Sequence, residues 1–208
     1  MKKFAYSVII VLSSLSSSFA QNEKKPEFFG GYSFETVNTG ITSADLGATT
    51  SLDNRFNANG FDLSATKYFT KRFGITGDFS ANFNNRSDTF GTTIGVTKLS
   101  LYNITGGPQI RFPNTSRFTP FAQSLAGVAR RNFTETIAST STSFTDNKTS
   151  FAMNLGGGVD YKLNDKFAWR IFQFDYNPIF LRSRSVNSTA IPDRTLNGFR
   201  FSTGIVIK

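Results

Sequence analysis

The sequence predicts an all-β chain closing into an eight-stranded antiparallel up-and-down transmembrane β-barrel. Three observations carry that expectation. Apolar residues recur with period two along most of the chain, as in strands with one apolar face. Beyond the first twenty residues, no sustained apolar pattern at helical spacing competes with it. The connections between the alternating stretches are by turns short and long, the pattern of a membrane barrel with tight turns on one side and larger loops on the other.

Residues 1–20 read as a cleaved secretory signal. Lys2 and Lys3 precede an apolar run from Phe4 to Leu12, a Ser-rich stretch and the small-residue site Ser18-Phe19-Ala20. The run is too short for a membrane-spanning helix, which needs about 20 apolar residues. Residues 21–208 are expected to form the barrel, with strands over roughly 27–38, 56–69, 72–84, 98–112, 117–133, 149–163, 166–181 and 195–208. The alternation is plainest at Phe151, Met153, Leu155, Val159 and Tyr161 against Ala152, Asn154 and Asp160, and again at Phe73, Ile75, Phe79 and Phe83 against Thr76, Asp78, Ser80 and Asn82. Tight turns fall at 70–72, 113–116 and 164–166, and long loops at 39–55, 85–97, 134–148 and 182–194.

Two strands depart from simple alternation. In 166–181, Phe167, Trp169 and Ile171 share one parity while Phe172, Phe174 and Tyr176 share the other, so a β-bulge near Ile171-Phe172 is expected to restore a single apolar face. In 117–133, the set Ala122, Ser124, Ala126 and Val128 competes with Phe121, Gln123, Leu125 and Gly127, and the pattern leaves the outward set open. Aromatic residues beside the short turns, namely Tyr68, Phe69, Phe73, Phe112, Phe118, Tyr161, Phe167 and Trp169, are where an interfacial girdle belongs.

Alternation does not say which face is inside. A soluble lipocalin-like barrel around an apolar ligand shows the same period as a membrane barrel with an apolar exterior. The polar face here carries Asp, Asn, Ser, Thr and Gly, which suits a narrow lumen filled by side chains, whereas a solvated surface carries more Lys and Glu. The segments Phe28-Phe29-Gly30-Gly31-Tyr32-Ser33, Asn59-Gly60-Phe61-Asp62, Phe73-Gly74-Ile75-Thr76-Gly77-Asp78-Phe79-Ser80, Gly106-Gly107-Pro108-Gln109 and Gly156-Gly157-Gly158-Val159-Asp160 resemble the small outer-membrane β-barrel family related to the transmembrane domain of outer-membrane protein A and the opacity proteins. The likeness runs through the whole of 21–208 and implies the outer membrane as location. The chain ends Ile205-Val206-Ile207-Lys208 rather than on the terminal aromatic usual in that family.

With no His and no Cys, the chain has no Ser-His or Cys-His nucleophile pair, no His-ligated zinc and no disulfide. No catalytic, cofactor or metal site is expected. Removing Lys2 and Lys3 with the signal lowers the formal charge from +9 to +7, and the scattered cations form no nucleic-acid motif. Charged residues on the polar parity instead predict a lumen network of Glu35, Asp62, Asp78, Arg111, Asp160, Lys162, Arg170, Asp175 and Arg200, because buried acids need cations. A three-residue turn at 70–72 sets Asp62 opposite Ser80 and Asp78 opposite Ser64. Arg55, Lys98, Arg130, Arg131, Arg182, Arg184 and Arg194 fall toward the long-loop ends, where Arg forks suit the phosphates of outer-membrane lipids, lipopolysaccharide included. The functional expectation is a monomeric, non-catalytic barrel with a structural or surface-interaction role, binding an extracellular ligand through four long loops; a small-solute channel and the lipocalin-like binder are the alternatives. Expressed from its native gene, the protein is expected in the outer-membrane fraction with a mobility on denaturing gels that changes on heating. Recovery in buffer without detergent, and no such change, would make the apolar face a ligand cavity.

Overall fold

Strand-forming, β-branched and aromatic residues alternate with small polar ones, and the described residues form ten strands, eight of them long. The computed structural model of the protein describes residues 25–38, 55–90, 93–137, 142–181, 184–186, 189–191 and 193–208. The strands are β1 (Glu27–Asn38), β2 (Arg55–Tyr68), β3 (Phe73–Phe90), β4 (Thr93–Arg111), β5 (Phe118–Ile137), β6 (Thr142–Lys162), β7 (Phe167–Leu181), the small hairpin β8 (Arg184–Val186) and β9 (Thr189–Ile191), and β10 (Arg194–Ile207). The eight long strands pair antiparallel in chain order, and β10 closes on β1. Closure leaves no sheet edge in the spanning part, as a bilayer requires.

Each short turn is built around one side-chain acceptor at its start. Thr70 Oγ1 accepts from the Phe73 amide at 2.8 Å, Asn114 Oδ1 from the Ser116 amide at 2.8 Å, and Asn164 Oδ1 from the amides of Lys166 and Phe167 at 2.8 Å each. These local bonds fold the chain back tightly and so fix the register of the hairpins. Asp62 pairs with Ser80 and Asp78 with Ser64, as the turn at 70–72 predicts.

Two of the four long connections are much shorter than the sequence suggests. β3 and β4 stay paired from Phe73↔Ile110 to Phe90↔Thr93, and β5 and β6 from Phe118↔Tyr161 to Ile137↔Thr142, so most of 85–97 and 134–148 is strand. The reason is that polar residues and Gly outnumber apolar ones in these stretches, so the apolar alternation is weak there. Outside the bilayer a hairpin needs no apolar side, and hydropathy alternation is blind to it. β3 to β6 span 18 to 21 residues, whereas β1, β2, β7 and β10 span 12 to 15. The bilayer takes about 9–11 residues of a tilted strand, so one wall projects well beyond it. Residues 39–54, most of the first long loop, lie outside the described residues.

The barrel is apolar outside and polar inside. Phe61, Leu63, Ile75, Ile104, Phe151, Leu155, Phe174, Phe199 and Ile205 are exposed on the outer face, while Glu35, Asp62, Asp78, Asp175 and Arg200 are buried in the lumen. Each large apolar side chain left in water forfeits about 1.5–3 kcal/mol relative to an apolar medium, so this surface belongs in lipid, and the lipocalin-like alternative fails. In β5 the inward set is Phe121, Gln123, Leu125 and Gly127. Phe69, Phe73, Phe112, Phe118, Phe167 and Trp169 are exposed around the short-turn end, and Tyr161 packs its ring 5.1 Å from that of Phe118. Tyr68 leaves this girdle: it shares the parity of Asp62 and Thr66 and is buried in the lumen.

The bulge falls where the sequence breaks its parity. Val159 pairs with Phe172 but Asp160 with Arg170, and on the other side Ser202 pairs with Gln173 but Gly204 with Arg170. One extra residue of β7 is accommodated there, which keeps Arg170, Gln173 and Asp175 all facing inward. At the closing seam, Gly31 pairs with Gly204. A Cβ on Gly204 would lie 2.3 Å from the Gly30 carbonyl oxygen and 2.4 Å from the Gly31 Cα. We expect Gly204→Ala to cost about 1–3 kcal/mol through overpacking, read as a lower midpoint for loss of the compact gel band in urea. Gly77→Ala, whose Cβ meets nothing within 4 Å, should stay within about 0.5 kcal/mol of wild type.

Candidate functional site

Inward-facing acids and bases on seven strands are forced together because eight strands leave a bore only wide enough for side chains. Arg200, on β10, stands at the centre. Its Nη1 and Nη2 donate to Asp78 Oδ1 and Oδ2 at 3.0 and 3.3 Å, a bidentate pair reaching across the lumen to β3. Its Nε and Nη2 donate to Asp175 Oδ2 at 3.2 and 3.0 Å, and Asp62 Oδ2 lies 3.7 Å from Nη2. Asp175 also accepts from Gln123 Nε2 at 3.0 Å and Gln173 Nε2 at 2.6 Å. Ser202 Oγ donates to Asp62 Oδ2 at 2.8 Å.

A second pair sits one layer toward the short turns. Arg170 Nε and Nη2 donate to Asp160 at 2.8 and 3.3 Å, and Nη1 to Gln173 Oε1 at 2.7 Å. Its guanidinium is sandwiched between the rings of Phe29 and Phe121, 4.4 and 4.2 Å from their centroids. Cation–π attraction and the bidentate carboxylate together offset its desolvation. Nearer the turns, Gln109 links Thr76 Oγ1 to the Tyr68 hydroxyl at 2.8 and 2.6 Å. Arg111 covers the Tyr68 ring at 3.8 Å and donates to Glu27 Oε1 at 2.8 Å.

Toward the projecting end, Glu35 is fully buried and accepts from Asn82 Nδ2 at 2.7 Å and Asn177 Nδ2 at 3.2 Å. Beyond it, Val37, Leu101, Ala129, Ala152, Ile179 and Leu196 pack into an apolar layer with Leu181 against it. A second apolar cluster, Phe29, Ala168 and Val206, lies on the turn side. The polar network is therefore enclosed along the barrel axis between apolar groups.

Of the residues expected in the lumen, the structure brings together Asp62, Asp78, Asp175 and Arg200, and separately Asp160 with Arg170. Arg111 lies at the turn-side mouth. Lys162 is a correction: it has the inward parity, but at the end of β6 it clears the barrel and pairs with Asp165 at 2.7 Å in the turn. That ammonium holds the Asp165 carboxyl below the ordinary carboxylate range. Glu35 meets two amides although Arg200 is its direct cross-strand partner. The partners that sequence reasoning missed are neutral or remote: Gln123, Gln173, Asn82 and Asn177 carry no charge signal, and Glu27 begins β1 where no alternation marks it.

On the rim, Arg55, Lys98 and Arg130 are exposed near the projecting strand ends, with Arg130 Nε donating to Asn132 Oδ1 at 3.3 Å. Arg131 has the inward parity and is half-buried, so it does not join them. Arg182 lies outside the described residues, and only the backbone of Arg184 and Arg194 is described.

A family model described as the outer membrane protein beta-barrel domain matches residues 7–191. No curated protein sequence matches the chain. Among solved structures, the fold is similar to Ail, the attachment invasion locus protein of Yersinia pestis, in complex with the heparin analogue sucrose octasulfate, at 17% identity over 89% of this chain and 100% of that chain with a TM-score of 0.54. It is similar to Neisserial surface protein A at 13% identity over 88% and 96% with a TM-score of 0.59. The outer membrane protease OmpT from Escherichia coli follows at 8% identity over 90% and 97%, TM-score 0.50.

Arg200 is the single cation within hydrogen-bond reach of Asp78 and Asp175 among the described residues. Replacing it leaves buried carboxylates uncompensated, and Arg200→Met is expected to cost about 3–5 kcal/mol. Urea unfolding followed by the emission of Trp169, the only Trp, would measure it, and Asp78→Asn in the same chain should recover part of the loss.

Proposed function

The chain belongs to the outer membrane protein β-barrel domain family and stands in the outer membrane, and on that premise we propose a non-catalytic, monomeric barrel, exported by cleavage after Ala20, whose role is surface interaction through its projecting end. The observation that carries this reading is the closed lumen. Arg200 bridges opposite walls and the Val37–Leu101–Leu196 layer lies above it, so solute passage would have to break ion pairs and wet an apolar constriction. What remains accessible is the outside, where β3 to β6 rise beyond the bilayer.

Enzyme chemistry finds little support. OmpT is named a protease, yet at 8% identity the likeness speaks for the fold alone. The chain has no His, and the lumen carboxylates of Asp78, Asp175 and Asp160 are engaged with Arg200 and Arg170 rather than open to a substrate.

The exposed cations Arg55, Lys98 and Arg130 supply the chemistry for an anionic partner at the outer end. Lipid phosphates, including those of lipopolysaccharide, fall within their reach, and a sulfated glycan offers the same charge; Ail is recorded with such an analogue. Purified barrel in a planar bilayer should show no steady conductance. Vesicles carrying it should retain sucrose octasulfate in a salt-sensitive manner, reduced several-fold by Lys98→Gln with Arg130→Gln. A stable conductance, or retention indifferent to both substitutions, would sink the reading.

A further inference from the structure

At the short-turn end, the outermost backbone rungs set cation beside cation. Arg111 donates its amide to the Arg72 carbonyl at 2.8 Å, Lys162 to that of Arg117 at 2.8 Å, and Lys208 to that of Lys166 at 2.9 Å. Each rung lies one residue beyond a ladder pair, Phe73↔Ile110, Phe118↔Tyr161 and Phe167↔Ile207 respectively. The two residues of a rung therefore stand directly opposite each other on one face. Like charges so placed repel and weaken the pair, and the arrangement recurs on three sides of the same rim.

Few acids answer this ring. Arg111 is matched by Glu27 and Lys162 by Asp165, while Asp160, one layer inward, is taken by Arg170. Lys71, Arg72, Arg117 and Lys166 are exposed, and their side chains form no ion pair among the described residues. Their neighbours fix their depth. Arg72 precedes Phe73, Arg117 precedes Phe118 and Lys166 precedes Phe167, three exposed rings of the girdle that marks the edge of the hydrocarbon. One residue of strand covers about 3.3 Å, and the headgroup layer extends roughly 5–7 Å past the hydrocarbon. These cations stand at the depth of the phosphates in the leaflet on the turn side.

We propose that this ring, through Lys71, Arg72, Arg117 and Lys166, is a docking surface for anionic phospholipid of the phosphatidylglycerol class in the leaflet on the turn side. A headgroup phosphate beside each turn relieves the repulsion that Glu27 and Asp165 leave unanswered, and Arg and Lys side chains are long enough to meet it from the rim. A zwitterionic lipid brings its own ammonium to the same depth and adds no net charge, so clustered cations favour the anionic headgroup. A soluble polyanion would have to enter the headgroup layer to reach cations beside the girdle, whereas lipid is already present at every turn. The ring lies at the opposite end of the barrel from Arg55, Lys98 and Arg130, so the proposal is separate from the surface-interaction reading, and its failure leaves that reading as it is.

Trp169, exposed on the same rim and paired with Tyr161, reports on the lipids beside it. The mature chain would be refolded into vesicles of equimolar dioleoylphosphatidylcholine and dioleoylphosphatidylglycerol, with one lipid or the other carrying brominated acyl chains that quench Trp emission. The heat-dependent gel shift would confirm folding of each protein. Wild type is expected to be quenched more strongly by the brominated phosphatidylglycerol, a several-fold local enrichment at low salt that shrinks as ionic strength rises. Arg117→Gln with Lys166→Gln, at exposed positions outside the lumen network, is expected to bring the two quenching efficiencies together, whereas Lys98→Gln with Arg130→Gln at the far end leaves the enrichment in place. Equal quenching of the wild type by the two lipids would overturn the proposal, as would an enrichment that survives Arg117→Gln with Lys166→Gln, or one lost equally on the far-end substitutions. Should the turn-side double variant not fold, Lys166→Gln alone, at the turn that opens β7, decides by the same comparison: a reduced enrichment supports the proposal and an unchanged one defeats it.

Discussion

A bilayer interior offers the backbone nothing to bond with, and the whole structure is arranged around that lack. Every amide and carbonyl in the spanning region must find its partner on a neighbouring strand, which a sheet achieves only by closing on itself. Closure of β1 on β10 is therefore the condition for everything else. It turns one face of each strand toward lipid and the other into a confined bore, and it forces the Gly31–Gly204 approach at the seam. The bulge in β7 serves the same end, since without it one half of that strand would present its charges to lipid.

A bore this narrow is a place to store charge. The acids and guanidiniums that fill it tie opposite walls together: Arg200 alone joins β10, β7 and β3. A buried ion pair contributes little net free energy once desolvation is counted, but it discriminates strongly against arrangements that leave one partner alone. In this barrel the network favours the arrangement in which Arg200 meets Asp78 and Asp175, while the aromatic and aliphatic exterior supplies the affinity for lipid.

How much of this could be read from the sequence depended on contrast. Where large apolar residues faced small polar ones, as at Phe73 to Phe83, face and register were legible, and the parity break at Ile171-Phe172 marked the bulge to the residue. β5 was opaque because its lipid face is Ala122, Ser124, Ala126 and Val128, hardly more apolar than Phe121, Gln123 and Leu125 inside. The extensions of β3 to β6 were hidden because polar residues and Gly dominate there and weaken the contrast between the two parities. Within the lumen, the parity of the charged residues was visible but their pairing was not. A long guanidinium reaches past its cross-strand neighbour, so Arg200 leaves Glu35 for three aspartates on other strands, and Lys162, a residue too near the end, escapes to a turn.

Arg200 lies on β10, the strand that closes the barrel against β1. Until β10 arrives, Asp62, Asp78, Asp175 and Glu35 line an unfinished trough with no guanidinium to answer them, and a trough of bare carboxylates is poorly suited to entering hydrocarbon. Closing the hydrogen-bonded cylinder and neutralising its contents are thus one event. A chain broken off before residue 194 would lack a stave and the counter-charge together, so its own acids would hold it out of the membrane.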